Sequence, residues 1–422
     1  MTDPKALFGW SMYDFANSAF TTLIVTFIYA TYFTKAIAPD QITGTVLWSR
    51  AVTISSLTVA LLSPLLGAMA DRYRLRKHFL LICTGLAILS AAMLYRPLPG
   101  QVMAALSWFV IGNIAFEMGC VFYNAYLPDL APPAQIGRVS GIAWGAGYVG
   151  GLAAMGLAMV TMVNPETPWF GLSRELGQNI RATNLLVAVW FGLFSLPIFL
   201  LVKEQQPRPN PSRQKIGTEL LATFRQLCRY PQVIRLLLAR LFYNDGLVTI
   251  FAFGGIYAAG TFNFTFQQIM IFGIVLNICA GLGALAFGFC DDRLGGKITV
   301  QISLAGLLIA ALLAILTTNT KLFWLAGMLI GIFSGPNQSA SRSLMGRLVP
   351  KEHESQFFGF FAFSGKFSAF LGPLLLGVLT KTFDSQRVGM AVVVVFFIVG
   401  GLLLALVDEK KGIKEAQLGF SK

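Results

Sequence analysis

Residues Gly67 to Lys77 read GAMADRYRLRK, and residues Gly288 to Lys297 read GFCDDRLGGK. Gly67, Asp71 and Arg72 therefore return as Gly288, Asp292 and Arg293, an offset of 221 residues in a chain of 422. A second landmark, Pro128 with Gly137, returns as Pro350 with Gly359, one residue further on. Two independent landmarks at one spacing argue for an internal duplication. Each copy of the first follows the second apolar run of its half. Each copy of the second flanks the connection between the fourth and fifth.

The runs between these landmarks decide the class. The chain is 55% hydrophobic and 12% charged, against about 25% charged for an ordinary soluble domain. Stretches such as 46–66, 102–116, 185–202 and 390–407 carry almost no charge. A helix needs about 20 apolar residues to cross a hydrocarbon core of about 30 Å. Spans are expected near 13–36, 46–70, 79–97, 102–127, 138–163, 183–203, 233–259, 267–290, 298–317, 322–346, 355–380 and 387–407. The predicted fold is all-α, with 12 transmembrane helices as two parallel six-helix repeats. Residues 1–203 form the N-terminal bundle, 204–232 a linker, 233–408 the C-terminal bundle and 409–422 a tail. In the linker, Ile216, Leu220, Leu221, Phe224 and Leu227 share one side among Arg213, Lys215, Arg225 and Arg229, the pattern of an interfacial helix.

An even number of spans puts both termini on one side. The opposite side holds only Lys35, Arg50, Arg96, Arg174, Arg181, Lys321, Lys381 and Arg387. Arg240 and Lys366 fall within spans, and the rest of the 32 basic residues lie with the termini. Basic residues stay on the cytoplasmic side, so both termini are expected in the cytoplasm, with the chain multi-pass in the inner (plasma) membrane. The net charge of +13 then matches an anionic leaflet and does not argue for nucleic acid. The N-terminus lacks the order of a cleavable signal, so the first run is expected to remain as span one. The five cysteines make no CxxC pair, and His78 and His353 stand outside any metal or acyl-transfer motif. No metal, cofactor or enzymatic reaction is expected.

The Gly67 and Gly288 stretches resemble the loop signature of the major facilitator superfamily. There the element is a gating latch, which the resemblance assigns here to Gly67, Asp71, Arg72, Gly288, Asp292 and Arg293. Arg74 stands where that signature often has a glycine, and the second copy keeps one as Gly295. A glycine allows two helices to touch. An aspartate at a helix end can accept from a neighbouring helix N-terminus or pair with an arginine. Further pieces narrow the resemblance: Gly9-Trp10-Ser-Met-Tyr13-Asp14-Phe-Ala-Asn17-Ser18-Ala-Phe20, Asn124-Ala-Tyr126-Leu-Pro128-Asp129, Tyr243-Asn244-Asp245-Gly246, Ser341-Arg342-Ser343, and Ser364-Gly365-Lys366 with Gly372-Pro373. Together they resemble the "unknown major facilitator" family, bacterial relatives of the fungal autophagy-related vacuole effluxer. That resemblance implies amino-acid efflux as one substrate class.

The residues themselves point to a polar passage. Ionisable groups in mid-span cost about 2.5–3.5 kcal/mol on insertion scales and face a cavity or one another. The candidates are Asp14, Glu117, Arg240, Asp245 and Lys366. Asp14, Asn17 or Ser18, and Thr21 share a helical face in span one; Asn113, Glu117, Cys120 and Asn124 do so in span four; Ser334, Gln338 and Arg342 do so in span ten. In span seven Asn244 lies with Arg240, and Asp245 is turned about 100° away. Gly335-Pro336 is expected to break the ladder of span ten. The substrate and proton pathway is thus read as Asp14, Asn17, Asn113, Glu117, Asn244, Asp245, Gln338, Arg342 and Lys366. Arg240 and Asp245 could instead pair with each other, and Lys366 with a carboxylate. The mixture of signs suits a small polar or zwitterionic solute, moved by alternating access with a proton taken up at Glu117 or Asp14. An exporter of an amphipathic metabolite, drug or siderophore stays open if Trp10, Tyr13, Trp144, Tyr148 and Tyr243 line a large cavity. A membrane scaffold is disfavoured, because the longest polar segment is too short for a domain. Partners are the solute, a proton and the bilayer, with a monomer expected.

Overall fold

With no water in a bilayer core to satisfy backbone polar groups, each crossing segment must bond to itself as a helix, and the chain does so throughout. A computed structural model describes residues 3–203, 225, 227–369 and 371–418, among which no strand occurs. The helices are α1 Pro4–Ile37, α2 Gln41–Tyr73, α3 Arg76–Met93, α4 Val102–Asn124, α5 Ile136–Val163, α6 Gln178–Leu201, α7 Pro231–Phe262, α8 Phe266–Leu294, α9 Gly296–Leu316 and α10 Thr320–Leu348. They continue as α11 Glu354–Phe367, α12 Leu371–Phe383, α13 Gln386–Ala405 and α14 Glu409–Leu418. Spans one to ten are α1–α10. Span eleven is divided into α11 and α12, and span twelve is α13. The linker expected over 204–232 lies mostly outside the described residues.

Eleven helical segments among the described residues are long and apolar enough to cross a membrane. The span that falls short by composition is α10. Its second half carries Ser334, Asn337, Ser339, Ser341, Arg342 and Ser343, all buried. A lipid-facing helix could not hold that series; α10 can, because it is packed between α8 and α9.

The packing is achieved with small residues. A Cβ at Gly331 would lie 2.5 Å from the Leu276 carbonyl oxygen, and one at Gly335 would lie 2.0 Å from that of Ala280. Gly283 on α8 presses in the same way on the Ile332 carbonyl. Ile332 is the residue whose carbonyl loses its helical donor at Pro336. Pro336 thus takes one bond out of the ladder of span ten, and α10 nevertheless continues through it as one helix. The close seam with α8 holds the helix on both sides of the missing N–H.

Contacts divide the chain into two units. The first comprises Met1–Leu62, Tyr73–Tyr123 and Ala146–Arg208; the second comprises Ser63–Arg72, Asn124–Gly145 and Pro209–Lys422. In the first unit α6 packs against α1 and α3. Arg181, expected in a loop, is buried within α6. It donates to the Tyr95 carbonyl at 2.7 Å, and Asn184 reaches the Leu94 carbonyl at 3.5 Å. These side chains meet carbonyls left over at the end of α3, where a cation is favourable. α1 turns π-helical over Phe20–Phe27, so an α-helical face does not extend past Ala19.

Candidate solute pathway

The first group of predicted residues lies at helix ends within the second unit. Asp71, near the end of α2, accepts from the N–H of Ser355 at 3.0 Å and of Gln356 at 2.8 Å, in the first turn of α11. Asp292, near the end of α8, accepts from the N–H of Gly137 at 2.9 Å and of Arg138 at 3.2 Å, in the first turn of α5. Each carboxylate thus satisfies two donors that a helix start leaves unbonded, at the positive end of its dipole. The glycine of each copy lies one turn earlier. A Cβ at Gly67 would stand 2.3 Å from the Ser355 carbonyl, and one at Gly288 would stand 3.0 Å from the Arg138 Cα. A side chain is excluded at Gly67 and would have to push the neighbouring backbone aside at Gly288. The two copies therefore make the same contact, each with a helix start from the other sequence half.

The surrounding charges differ between copies. In the second, Asp291 precedes Asp292 and takes Arg347 at 2.6 Å and the Ser343 hydroxyl. Arg347 also reaches Glu409 at 3.6 Å, and Glu409 accepts from the N–H of Gly296 and of Lys297 at the start of α9. Asp291 and Glu409 were not singled out from sequence. The first has Ala70 as its repeat counterpart, and the second sits in a charged tail. Arg293, the arginine of the second signature, is exposed, whereas Arg72 is half-buried.

In the first unit, Trp10 and Tyr13 stack on Tyr123 with ring centroids 4.7 and 4.8 Å apart. The Trp10 Nε1–H donates to the Tyr123 carbonyl at 2.9 Å, and the Tyr13 and Thr84 hydroxyls are 2.9 Å apart. Both aromatic residues are core. Tyr243, in the second unit, is likewise buried and bonded to the Ser341 hydroxyl. Three of the five rings considered for an aromatic cavity are therefore packed inside a unit. Asp14 and Asn17 meet at 3.4 Å, with Asp14 half-buried and Asn17 buried. On α4, Asn113 is buried and Glu117 is half-buried.

Arg342 on α10 is 3% exposed and directs its guanidinium to the Ser140 hydroxyl, the Ser140 carbonyl and Asn124 Oδ1, at 2.9, 2.8 and 3.2 Å. It also lies over the Trp144 ring. Gln338, one turn earlier, is half-buried.

The densest arrangement surrounds the joint in span eleven. α11 ends at Phe367 and α12 begins at Leu371. Side chains of α7 meet both half-helices. Arg240 donates to the Phe361 carbonyl at 2.6 Å and the Ser364 hydroxyl at 3.2 Å, with its guanidinium 3.7 Å from the Phe361 ring. Asn244 donates to the Gly365 carbonyl at 3.1 Å. Across the joint, Asp245 Oδ2 accepts from the Gly372 N–H at 3.0 Å. The cation and amide thus meet the carbonyl end of α11, and the carboxyl meets the N–H end of α12, each in the sense its dipole favours. Arg240 and Asp245, considered as partners for each other, serve opposite sides of the break. Lys366 lies in the last turn of α11 and is half-buried. The break itself was not anticipated, although Gly372-Pro373 marks the start of α12. A proline near a helix start costs nothing, because its missing N–H has no partner there anyway.

Residues 40–417 match the family described as vacuole effluxer Atg22 like. Among similar proteins is an uncharacterised MFS-type transporter of Bacillus subtilis, YxiO, 26% identical over 416 residues, covering 97% of this chain and 96% of that protein. Autophagy-related protein 22 of Cryptococcus neoformans is 23% identical over 304 residues, which is 66% of this chain and 52% of the fungal protein. Among solved structures, the fucose:proton symporter FucP of Escherichia coli superimposes with a TM-score of 0.70 at 14% identity, covering 96% of this chain and 98% of that one. Family and fold are those of transporters rather than enzymes, and the chain is a multi-pass membrane protein. The match along most of its length, with the fold it accompanies, shows that this chain belongs to the Atg22-like effluxer family within the major facilitator superfamily.

Proposed function

We propose that the chain is a secondary active transporter of a small polar, zwitterionic solute of the amino-acid class, coupled to protons and working by alternating access. The observation that carries this reading is the joint in span eleven. Interrupted membrane helices present a carbonyl end and an N–H end at one depth, which suits the ammonium and carboxylate of a zwitterion. Arg240, Asn244, Asp245 and Lys366 bring both signs of charge to that place. Asp14, Asn17, Asn113, Glu117, Gln338 and Arg342 belong to the same pathway in this reading, with Glu117 or Asp14 among its proton-binding groups. Asp71 and Asp292, with Gly67, Arg72, Gly288 and Arg293, stabilise the state in which the helix starts of α11 and α5 are held. The two bundles, 1–203 and 233–408, rock about this pathway. The protein acts as a monomer in the inner (plasma) membrane, with both termini in the cytoplasm.

Support for efflux comes from the vacuole effluxer family match, and the amino-acid class is what the resemblance to that family implies. Support for proton coupling comes from a proton symporter sharing the fold. Burial of Trp10, Tyr13 and Tyr243 favours the small solute over the amphipathic one, because those rings are not available to line a wide cavity. The test is uptake of a labelled amino-acid mixture by proteoliposomes, with and without an imposed pH gradient. Gradient-dependent uptake that is lost on truncating Lys366→Ala is expected. Absence of uptake in either orientation of the gradient refutes the solute class. Gradient-driven uptake unaltered by both Glu117→Gln and Asp14→Asn removes those two as coupling groups.

A further inference from the structure

Of the carboxyl groups in α7 and the helices around it, Asp245 has the least conventional surroundings. It is 1% exposed. One oxygen, Oδ2, takes the Gly372 N–H, and the other, Oδ1, has no hydrogen-bond partner among the described residues. No cation forms an ion pair with it among those residues. A buried carboxylate oxygen without a protein donor is costly in its ionised form, and binding a proton removes that cost. A metal ion would require a shell of several oxygens. The Thr249 hydroxyl, one turn on, donates to the Asp245 carbonyl at 2.8 Å. A proton requires one oxygen only.

The acceptor oxygen, Oδ2, also holds the start of α12. In the first turn of α12 the Leu371 N–H returns to the Ser368 carbonyl at 2.7 Å, and Pro373 has no N–H. The Gly372 N–H is the donor that α7 takes. The approach is close: a Cβ at Gly372 would stand 1.9 Å from the Thr249 hydroxyl. An ionised Asp245 would hold this helix start by a charge-assisted bond and by the dipole. A protonated Asp245 would hold it by an ordinary neutral bond, with the new O–H on the oxygen that had no partner.

We propose that Asp245 binds the coupling proton at Oδ1, and that protonation loosens the start of α12 from α7, making this helix start the element that responds to the proton. The step balances simply. A proton from water in the pathway forms the O–H bond at Oδ1, and on release it returns to water. No covalent bond in the chain changes. The proposal rests on the coupled-transport reading above, and it assigns the proton to a residue other than Glu117 or Asp14.

The charged groups carried by the elements packed on α7 leave Asp245 to itself. On α11, Glu354 lies at the first turn and Lys366 at the last; Lys366 is the one brought to the joint. On α12, Lys381 is exposed in the last turn. On α13, Arg387 donates to the Ile315 carbonyl. On α10, Lys321 lies in the first turn, while Arg342 and Arg347 are directed to Ser140 and Asp291. On α8, Asp291, Asp292 and Arg293 stand at the far end, and on α14 the acids and lysines follow Glu409. On α7 itself, Arg235 donates to the Leu406 carbonyl and Arg240 is engaged with α11.

The experiment uses the whole protein in lipid, compared between acidic and alkaline buffer. Infrared difference spectra report protonated carboxyl C=O stretching, and hydrogen exchange, corrected for the intrinsic effect of pH, reports the Gly372 amide. A carboxyl band should be present in the unaltered protein and absent in Asp245→Asn. Exchange at Gly372 should quicken roughly tenfold on protonation in the unaltered protein and be insensitive to pH in the variant. If Asp245→Asn does not fold, Asp245→Glu keeps a titrating group in altered geometry and should shift the same band. The assignment is overturned if the band and the pH response persist in Asp245→Asn, if Asp245→Glu leaves the band unmoved, or if Glu117→Gln abolishes the band instead. Proton-driven amino-acid uptake that survives in Asp245→Asn counts against this assignment alone. Absence of uptake by the unaltered protein, with the Asp245 band intact, counts against the transport reading alone.

Discussion

Replacing Asp71 by asparagine tests whether the repeated aspartates hold helix starts by charge. In the structure two N–H groups, of Ser355 and Gln356, converge on the two oxygens at 3.0 and 2.8 Å, and the residue is 9% exposed. Asparagine offers one carbonyl oxygen and one NH2 group. It can keep one bond, now neutral, while the NH2 opposes the second N–H. Charge-assisted bonds contribute about 1.5–3 kcal/mol each and neutral ones about 0.5–1.5 kcal/mol. Losing one and weakening the other costs about 2–4 kcal/mol, with the lost dipole interaction inside that range. At about 1.4 kcal/mol per decade this is on the order of a hundredfold shift toward the released state. Hydrogen exchange at Ser355 and Gln356 measures it, since both amides open only when the helix start leaves Asp71. Exchange at Ser355 and Gln356 within a factor of about three of the parent would refute the reasoning; Gly137 and Arg138, held by Asp292, are the amides that report the other copy. Asp292→Asn should produce the reciprocal pattern.

Gly335→Val should be poorly tolerated, because its Cβ would meet the Ala280 backbone carbonyl at 2.0 Å; a loss of about 1–3 kcal/mol or more should appear as a lower melting temperature in detergent. Glu409→Gln should cost about 1–2 kcal/mol, since its carboxylate takes both the Gly296 and Lys297 N–H groups, and should increase amide exchange at the start of α9. At the start of α2, the Thr43 hydroxyl, together with the N–H groups of Thr43 and Ile42, holds the Asp40 carboxyl below the usual carboxylate range. A lowered folded-state value means that this cap acts fully above the unfolded value of about 3.9 and is lost as pH falls through the folded one. Amide protection at Ile42 and Thr43 should therefore fall in acid in the parent protein, and be low at every pH in Asp40→Ala.

Membrane class, the number of repeats and the paired glycine–aspartate landmarks at Gly67–Asp71 and Gly288–Asp292 could be read from the amino acids alone, because they rest on local quantities. A run long enough to span hydrocarbon, an aspartate following a glycine at a helix end, and one spacing that returns in both halves need no knowledge of neighbours. That these aspartates could meet a helix start was legible, but which starts Asp71 and Asp292 bind was not, since Ser355 and Gly137 lie far from them in sequence and a helix start leaves no local mark of the side chain that satisfies it. Where a span divides was not legible for a similar reason. Pro336 removes a helical donor, but whether the helix then parts depends on its contacts, and the glycine seam with α8 keeps α10 whole. In span eleven the chain does part, and Arg240, Asn244 and Asp245 on α7 receive the two new ends. Their residue types marked them as costly in hydrocarbon from the outset. Only the tertiary structure decided that the positive and negative members would answer to different half-helices, because backbone ends become partners only after two distant segments are brought within hydrogen-bond reach.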